Sequence, residues 1–170
     1  MMAKKKVLKL NAEQQEVDGF VLLITSTNKD YRMTFFMNKY AGFNLERRSN
    51  LEYFHQHQQQ SLSYSVFREY DHYHNTEWYL INNKNPRGAL LPKLGKVDFL
   101  FIGRGNYQVH DQGDIITKFR SLPNTQFVQQ ILPEASNHIF DIFELLELMV
   151  LEEHKQEKRK NPYQPLVKWR

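Results

Sequence analysis

The sequence contains no cysteine, and this absence excludes disulfide bonds, thiolate metal sites and cysteine nucleophiles. No stretch approaches the roughly 20 consecutive apolar residues that a transmembrane helix requires. The lysines near the N-terminus are not followed by the apolar run of about 7–15 residues that a signal peptide needs. We therefore expect a cytoplasmic protein without a membrane partner, and the lack of cysteine fits a reducing compartment.

The motifs of common enzyme classes are missing as well. The sequence has no G-x-S-x-G, no H-E-x-x-H, no P-loop and no protein-kinase signature. Gly103-Arg104-Gly105 resembles the start of a dinucleotide-binding loop, but the third glycine position is occupied by Gln108, and the next helix starts too late to hold a pyrophosphate. We predict a protein that is not an enzyme and that binds no cofactor. A Ser–His–Asp arrangement of distant residues stays open.

The composition that remains is that of one folded domain. Apolar residues make up 41% and aromatic residues 14% of the 170-residue chain, which is enough for a packed core. We expect a single α+β domain over residues 1–135. An apolar helix over residues 136–157 should dock on this domain or on a partner, and residues 158–170 should form a flexible basic tail.

Apolar residues at three- and four-residue spacing predict two amphipathic helices. The first runs from a cap at Asn28 or Asp30 to Gly42, which suits the left-handed position after a helix. We expect its aromatic and methionine side chains to be core: Tyr31, Met33, Phe35, Met37 and Tyr40. The second is the C-terminal helix, whose apolar stripe is unusually wide. This helix either docks deeply on a sheet or meets another chain, which leaves a homodimer open.

Alternating or continuous apolar runs between turn residues predict the strands. Residues 97–102 are almost uniformly apolar, which is typical of a strand buried on both faces. Residues 62–67 and 76–81 predict an antiparallel hairpin, whereas residues 51–60 indicate only a strand end and a loop. We predict a two-layer, mixed or antiparallel sheet with helices packed on one face. This arrangement is loosely ferredoxin-like, with the C-terminal helix added.

Positive charge is concentrated at the two ends of the chain. Residues 1–10 carry +4 and residues 155–170 carry +5; because the whole chain carries +4, residues 11–154 carry −5. Clustered basic residues gain affinity for polyanions by releasing counterions. We therefore predict contact with RNA, a ribonucleoprotein or an acidic protein through Lys4, Lys5, Lys6, Lys155, Lys158, Arg159, Lys160, Lys168 and Arg170. The alternative is that these residues only keep the ends solvated.

Two further patterns could bind ligands. His55 with His57, and His72 with His74, are spaced so that both rings of a pair would share one face of a strand and could grip a metal. Exposed loop histidines are the commoner outcome, so the leading prediction is no metal site. Aromatic and basic residues also alternate in the hairpin region, where they could form a stacking sheet for single-stranded RNA or serve as ordinary strand formers: Tyr64, Phe67, Arg68, Tyr70, Tyr73, Trp78 and Tyr79.

Asp98 is a carboxylate within the most apolar strand of the sequence. A buried carboxylate is costly unless it is paired, so we expect an ion pair or a loop cap rather than a catalytic acid. Its candidate partners are Arg32, Arg87, Lys93 and Arg104.

The residues around Asp98 also carry a family resemblance. Leu91-Pro92-Lys93, followed after three residues by Val97-Asp98-Phe99, resembles the signature of the bacterial IPExxxVDY family, and weaker similarities extend over about residues 17–134. Lys93 departs from that pattern, because the family has glutamate there. The resemblance implies no activity, although members encoded near ribonuclease III favour RNA by association.

The family resemblance and the charge pattern together lead to one main hypothesis. The protein is expected to be a non-enzymatic, cytoplasmic binding or adaptor protein that contacts RNA or a ribonucleoprotein through its basic termini. The alternative is a regulatory domain that senses a small molecule and dimerises through the C-terminal helix.

Overall fold

A computed structural model describes residues 17–160 of the chain. The predicted contacts at Lys4, Lys5, Lys6, Lys168 and Arg170 lie outside the described residues. The larger elements are β1 (Phe20–Ser26), α1 (Asp30–Ala41), β2 (Glu46–Arg47), β3 (Leu51–His55), β4 (Gln60–Tyr64), β5 (Val66–Asp71), β6 (Thr76–Asn82), β7 (Phe99–Gly105), α2 (Gln112–Arg120), β8 (Thr125–Ile131) and α3 (Asn137–Lys160). Short 3₁₀ turns lie at Pro92–Leu94, Tyr107–Val109 and Pro133–Ala135.

The strands form one large sheet and one separate hairpin. The large sheet has the order β2-β5-β6-β7-β1-β8, and every neighbouring pair is antiparallel. Among the strands of residues 17–160, β3 and β4 pair only with each other. The predicted α+β fold with an antiparallel sheet is therefore confirmed. The predicted hairpin of residues 62–67 with 76–81 is confirmed only in part, because β5 pairs with β6 but residues 62–64 lie in β4 and pair with β3.

Both faces of the large sheet are covered, so α3 and the β3–β4 hairpin add a third layer to the predicted two-layer arrangement with helices on one face. Because side chains alternate along a strand, Leu22 and Val21 of β1 enter two different cores. One core lies under α1 and α2 and is rich in aromatic rings. The other lies under α3, the β3–β4 hairpin and residues 90–97. The central strand β7 is buried on both faces over residues 99–103, as its continuous apolar sequence predicted.

Helix α1 begins and ends close to the predicted positions, but the prediction of its buried face was wrong. Met33 and Met37 are buried, whereas Tyr31, Phe35 and Tyr40 are exposed. Successive helical residues are about 100° apart, so Tyr31 and Met33 point in nearly opposite directions and cannot share a face. Only one stripe of α1 fits against the sheet, and the methionines occupy it.

The β3–β4 hairpin replaces what the sequence indicated as an irregular loop. Its glutamine- and histidine-rich sequence hides the alternation, because the inward side chains are few and one of them is a histidine. Leu51, His55, Leu62 and Tyr64 are buried, while the residues between them face solvent or lie at the edge. A single residue, Ser65, then separates β4 from β5 and carries the chain into the large sheet.

Helix α3 docks on the protein's own sheet. Its buried stripe consists of Ile139, Ile142, Phe143, Leu146 and Met149. Two ion pairs add to the packing, from Arg68 to Glu153 and from Arg104 to Glu147. The helix continues to Lys160, so the first part of the predicted tail is helical. Within residues 17–160, no helix combines the length and apolarity needed to cross a membrane.

Candidate functional site

Asp98 has a structural partner that the sequence did not indicate. Its Oδ1 lies 2.5 Å from Lys84 Nζ, and its Oδ2 accepts a hydrogen bond from the Ser26 backbone N–H at 2.8 Å. The four predicted partners were therefore wrong. The residue stands just before β7 and remains partly exposed, so a lysine at the surface can reach it. The carboxylate ties the end of β1 to the segment after β6.

Asn83 organises the family-like motif, and sequence reasoning missed it. This fully buried side chain donates to the carbonyls of Leu94 at 3.0 Å and Val97 at 2.8 Å, and it accepts from the Leu91 N–H at 2.8 Å. Its own backbone bonds to Leu90 and Asp98. Within the motif, Leu91, Val97 and Phe99 are buried, while Pro92 and Lys93 are exposed. The motif is thus a loop that the Asn83 side chain holds in place directly before the central strand β7.

Packing within the protein explains the glycines at the end of β7, without a bound nucleotide. Gly103 lies opposite Trp78, and a Cβ atom there would stand 2.4 Å from the indole carbon Cζ3. Gly105 has a φ of +76°, and a Cβ atom there would stand 2.4 Å from the Asn75 carbonyl oxygen. Both positions need glycine for the packing of the sheet itself.

The first histidine pair, His55 and His57, does not form a metal site. His55 is buried, with its Nε2 2.7 Å from the Tyr64 hydroxyl, which itself donates to the Gly88 carbonyl at 2.9 Å. Burial lowers the pKa of His55, and the nearby His138 lowers it further. His57 lies exposed in the turn between β3 and β4, so the two rings do not share a strand face.

The second pair contributes one histidine to a different cluster. Asp71, His74 and His110 bring one ligand atom each to within 4.8 Å of one another. Asp71 Oδ2 lies 2.6 Å from His74 Nδ1 and 3.5 Å from His110 Nε2. Hydrogen bonds from His74 lower the pKa of Asp71 despite the opposing effect of burial. Burial chiefly lowers the pKa of His110, and His74 adds to this effect.

The cluster joins two loops at the same end of the sheet. Asp71 ends β5, His74 lies in the turn between β5 and β6, and His110 follows the 3₁₀ turn after β7. The Asn106 N–H donates to the Asn75 carbonyl at 3.2 Å and holds the two loops together. No local pattern marks His110, because only the pairing of β6 with β7 brings it near.

Most of the predicted stacking sheet for RNA is inaccessible. Of its aromatic residues, only Tyr70, which is half-buried, and Tyr73, which is 90% exposed, keep surface available. Tyr64, Phe67, Trp78 and Tyr79 are buried in the two cores, where no base can reach their faces. Arg68 is also buried, and it pairs with Glu77 at 2.9 Å. The alternative reading of these residues as ordinary strand formers accounts for the packing.

Aromatic rings are exposed instead on the outer side of α1. Tyr31, Phe35 and Tyr40 have 61%, 55% and 54% of their surface exposed. Lys39 Nζ lies 5.6 Å from the centre of the Phe35 ring and 5.2 Å from that of Tyr40. Phe36, which is half-buried, stacks on Tyr40 with the ring centres 6.0 Å apart. We call the exposed half of α1 the α1 aromatic face: Tyr31, Phe35, Phe36, Lys39 and Tyr40. Tyr31 and Tyr40 stand at its two opposite edges, half a helical turn apart around the helix axis.

Basic residues gather at the end of α3. Four predicted contact residues within the described part of the chain are exposed there: Lys155, Lys158, Arg159 and Lys160. A cleft of about 260 Å³ lies between this end of α3 and the region after β2. The cleft is lined by Arg47, Arg48, Ser49, Glu153, Gln156, Glu157 and Lys160. The surface is basic on balance, although two carboxylates share the cleft.

Comparisons with protein-family models, curated proteins and solved structures found no significant match to this chain. The resemblance to the IPExxxVDY family therefore stays a prediction, and any function has to be argued from the surfaces described above.

Proposed function

We propose that the protein is a non-enzymatic, cytoplasmic binding protein for single-stranded RNA, alone or within a ribonucleoprotein. The α1 aromatic face would stack on the bases, and the basic end of α3 would contact phosphates. The observation that carries this proposal is the set of exposed rings on α1 with a lysine over two of them.

The chemistry of the α1 aromatic face favours bases over an apolar protein surface. Each base that stacks on an aromatic ring contributes about 1–3 kcal/mol, and stacking needs no particular sequence. Lys39 supplies a positive charge beside the rings, where it can meet the phosphate that accompanies each base. Arg32 and Lys29, also exposed, add to the positive charge of this helix.

The end of α3 supplies charge without rings. Residues 155–160 carry four basic side chains and one acidic one, so this segment has a net charge of +3. Basic residues in the last turn of a helix are also stabilised by its dipole, so a basic sequence here has a structural explanation as well. An experiment can distinguish phosphate contact from stabilisation by the helix dipole, because only phosphate contact makes RNA binding depend on salt.

Binding should be measured by fluorescence anisotropy with a labelled, mixed-sequence single-stranded RNA over a salt series. Tyr31→Ala and Phe35→Ala are each expected to weaken binding by about 1–3 kcal/mol, with an unchanged salt slope, because each removes a neutral stacking ring. The combined change of Lys158, Arg159 and Lys160 to glutamine should lower the slope by about two, since each lost contact with a single strand accounts for about 0.7.

Two substitutions at comparably exposed positions elsewhere on the surface serve as matched controls. Phe127→Ala removes an equally exposed ring from β8, and Lys93→Gln removes an exposed charge from the motif loop; neither should change the affinity. If the RNA does not bind, or if Phe127→Ala weakens binding as much as Phe35→Ala, the α1 aromatic face is not the binding surface. An acidic protein would then be the remaining partner class for the basic residues.

A second candidate function rests on the outer side of α3. Leu148 and Leu151 are more than half exposed and follow one another at three-residue spacing. A regulatory domain that dimerises through this helix would bury them against a second copy. Phe143 cannot serve in such an interface, because it is buried against the sheet beside Gly19.

Light scattering coupled to size exclusion tests this dimer. If the wild-type protein is a dimer, Leu148→Glu together with Leu151→Glu should halve its mass, because two carboxylates cannot be buried between apolar helices. The change of Glu152 to glutamine, on an exposed position of the same helix, should leave the mass unaltered. A monomeric wild-type protein would rule the interface out.

A further inference from the structure

We propose that Asp71, His74 and His110 form a binding site for a divalent transition metal, Zn²⁺ in particular. This site is independent of the proposed RNA-binding function, because it shares no residue with the α1 aromatic face or with the basic end of α3.

The geometry needs little adjustment to take the ion. Zn²⁺ binds nitrogen and carboxylate oxygen at about 2.0–2.2 Å, which puts tetrahedral ligand atoms about 3.3–3.6 Å apart. The separation of Asp71 Oδ2 from His110 Nε2, 3.5 Å, is already close to this value. The separation of Asp71 Oδ2 from His74 Nδ1, 2.6 Å, is that of a hydrogen bond. Metal binding through Nδ1 would move this proton to Nε2 of a neutral His74 ring, or to solvent from a protonated one, and let the two atoms move apart.

The carboxylate of Asp71 is held in place for this role. Its Oδ1 accepts hydrogen bonds from the backbone N–H groups of Tyr73 at 3.0 Å and His74 at 3.2 Å. These bonds fix the carboxylate from behind and direct Oδ2 towards the two imidazoles. Such outer bonds orient a ligand and contribute to metal affinity.

His110 supplies an observation that packing alone does not explain. Its Nε2 atom is buried, yet among residues 17–160 it has no hydrogen-bond partner. A buried nitrogen without a partner is unfavourable, because it has lost its hydrogen bond to water. The ring packs edge-on against His74, with centres 4.7 Å apart, and against Trp78 at 5.1 Å. The aromatic contacts therefore fix a ring whose free nitrogen faces a carboxylate and a second imidazole.

The donor set decides the class of metal. Two imidazoles and one carboxylate suit Zn²⁺, Co²⁺ or Ni²⁺, whereas Mg²⁺ and Ca²⁺ prefer sites made of oxygen atoms. Three protein ligands leave a fourth position of a tetrahedral ion for water or another ligand. All three side chains keep part of their surface exposed, so an ion can enter from solvent.

Trp78 offers a reporter for the site. The chain has two tryptophans, so Trp169→Phe leaves Trp78 as the single one. Co²⁺ bound at His110 would lie close to the Trp78 ring and quench its fluorescence, because a paramagnetic ion quenches at short range. We expect saturable quenching at a stoichiometry of one Co²⁺ per chain, and we expect Zn²⁺ to reverse it by competition.

Variants then assign the ligands, all in the Trp169→Phe background. His110→Ala and His74→Ala should each weaken Co²⁺ binding by at least about tenfold, since even outer-sphere changes cost that much. His57→Ala, which removes an exposed histidine from another turn, should have no effect. Because His110 contacts the core, His74→Ala keeps the test valid if the first variant folds poorly. Unchanged fluorescence with Co²⁺, or equal quenching in His74→Ala and the parent, would overturn the proposal.

Discussion

Asn83→Ala is expected to lower the free energy of unfolding by about 3–5 kcal/mol. The substitution leaves the Leu91 N–H and the Val97 carbonyl without partners in the interior, and each such group costs about 1–3 kcal/mol. It also removes the donor to Leu94 and opens a small cavity. This one amide bonds to three points of the loop before β7, so the loss should be far larger than for an ordinary asparagine.

Urea unfolding followed by circular dichroism measures this difference. Asn82→Ala is the matched control: the neighbouring asparagine is half-buried, and its side chain accepts one exposed hydrogen bond from the Lys84 N–H. We expect a cost of about 1 kcal/mol or less there. Asn83→Asp, which keeps the acceptor but loses both donors and buries a charge, should be as damaging as alanine. Equal stabilities of the two alanine variants would contradict the role assigned to Asn83.

Gly103→Ala is expected to destabilise the protein by about 3 kcal/mol through overpacking. The new methyl group would stand 2.4 Å from Cζ3 and 2.9 Å from Cε3 of Trp78. The indole is enclosed by Phe101, stacked at 5.4 Å between ring centres, and by edge contacts to Phe20 and Phe43. A side chain with rings on several sides cannot move away without disturbing that core.

A double-mutant cycle tests this explanation. Trp78→Leu should itself be costly, but adding Gly103→Ala to it should cost much less than adding it to the wild type, because the clashing ring is gone. Gly95→Ala is the control: its φ of −62° suits alanine, and the nearest atom to a new Cβ lies at 3.5 Å. Strictly additive effects of the two core substitutions would reject the clash as the cause.

Periodicity predicted those parts of the fold in which packing follows the sequence locally. The buried strand β7, the hairpin of β5 and β6 and the apolar stripe of α3 were of this kind. The exposed face of α1 was missed because composition shows that a helix is apolar, whereas only the angular position of each residue shows which side is buried. The β3–β4 hairpin was missed because a polar, histidine-containing sequence conceals its short alternation.

The candidate sites depended on contacts between distant parts of the chain. Asp98 was correctly interpreted as a paired carboxylate, yet its partner Lys84 follows from the course of the loop, which the sequence does not specify. The pairing of His74 with His72 assumed a continuous strand, whereas a turn there presents His74 to His110 instead. Residue spacing can propose ligands on one element, but it cannot bring two loops together.

The position of β1 in the sheet has a consequence for biosynthesis. This strand, almost wholly apolar, pairs with β7 and β8 and with no other strand of the large sheet. Its first partner, β7, begins 73 residues after β1 ends, and synthesis of that length takes roughly 4–15 s at typical elongation rates. Until then β1 has no native strand partner, so this apolar strand is the segment of the nascent chain most exposed to aggregation.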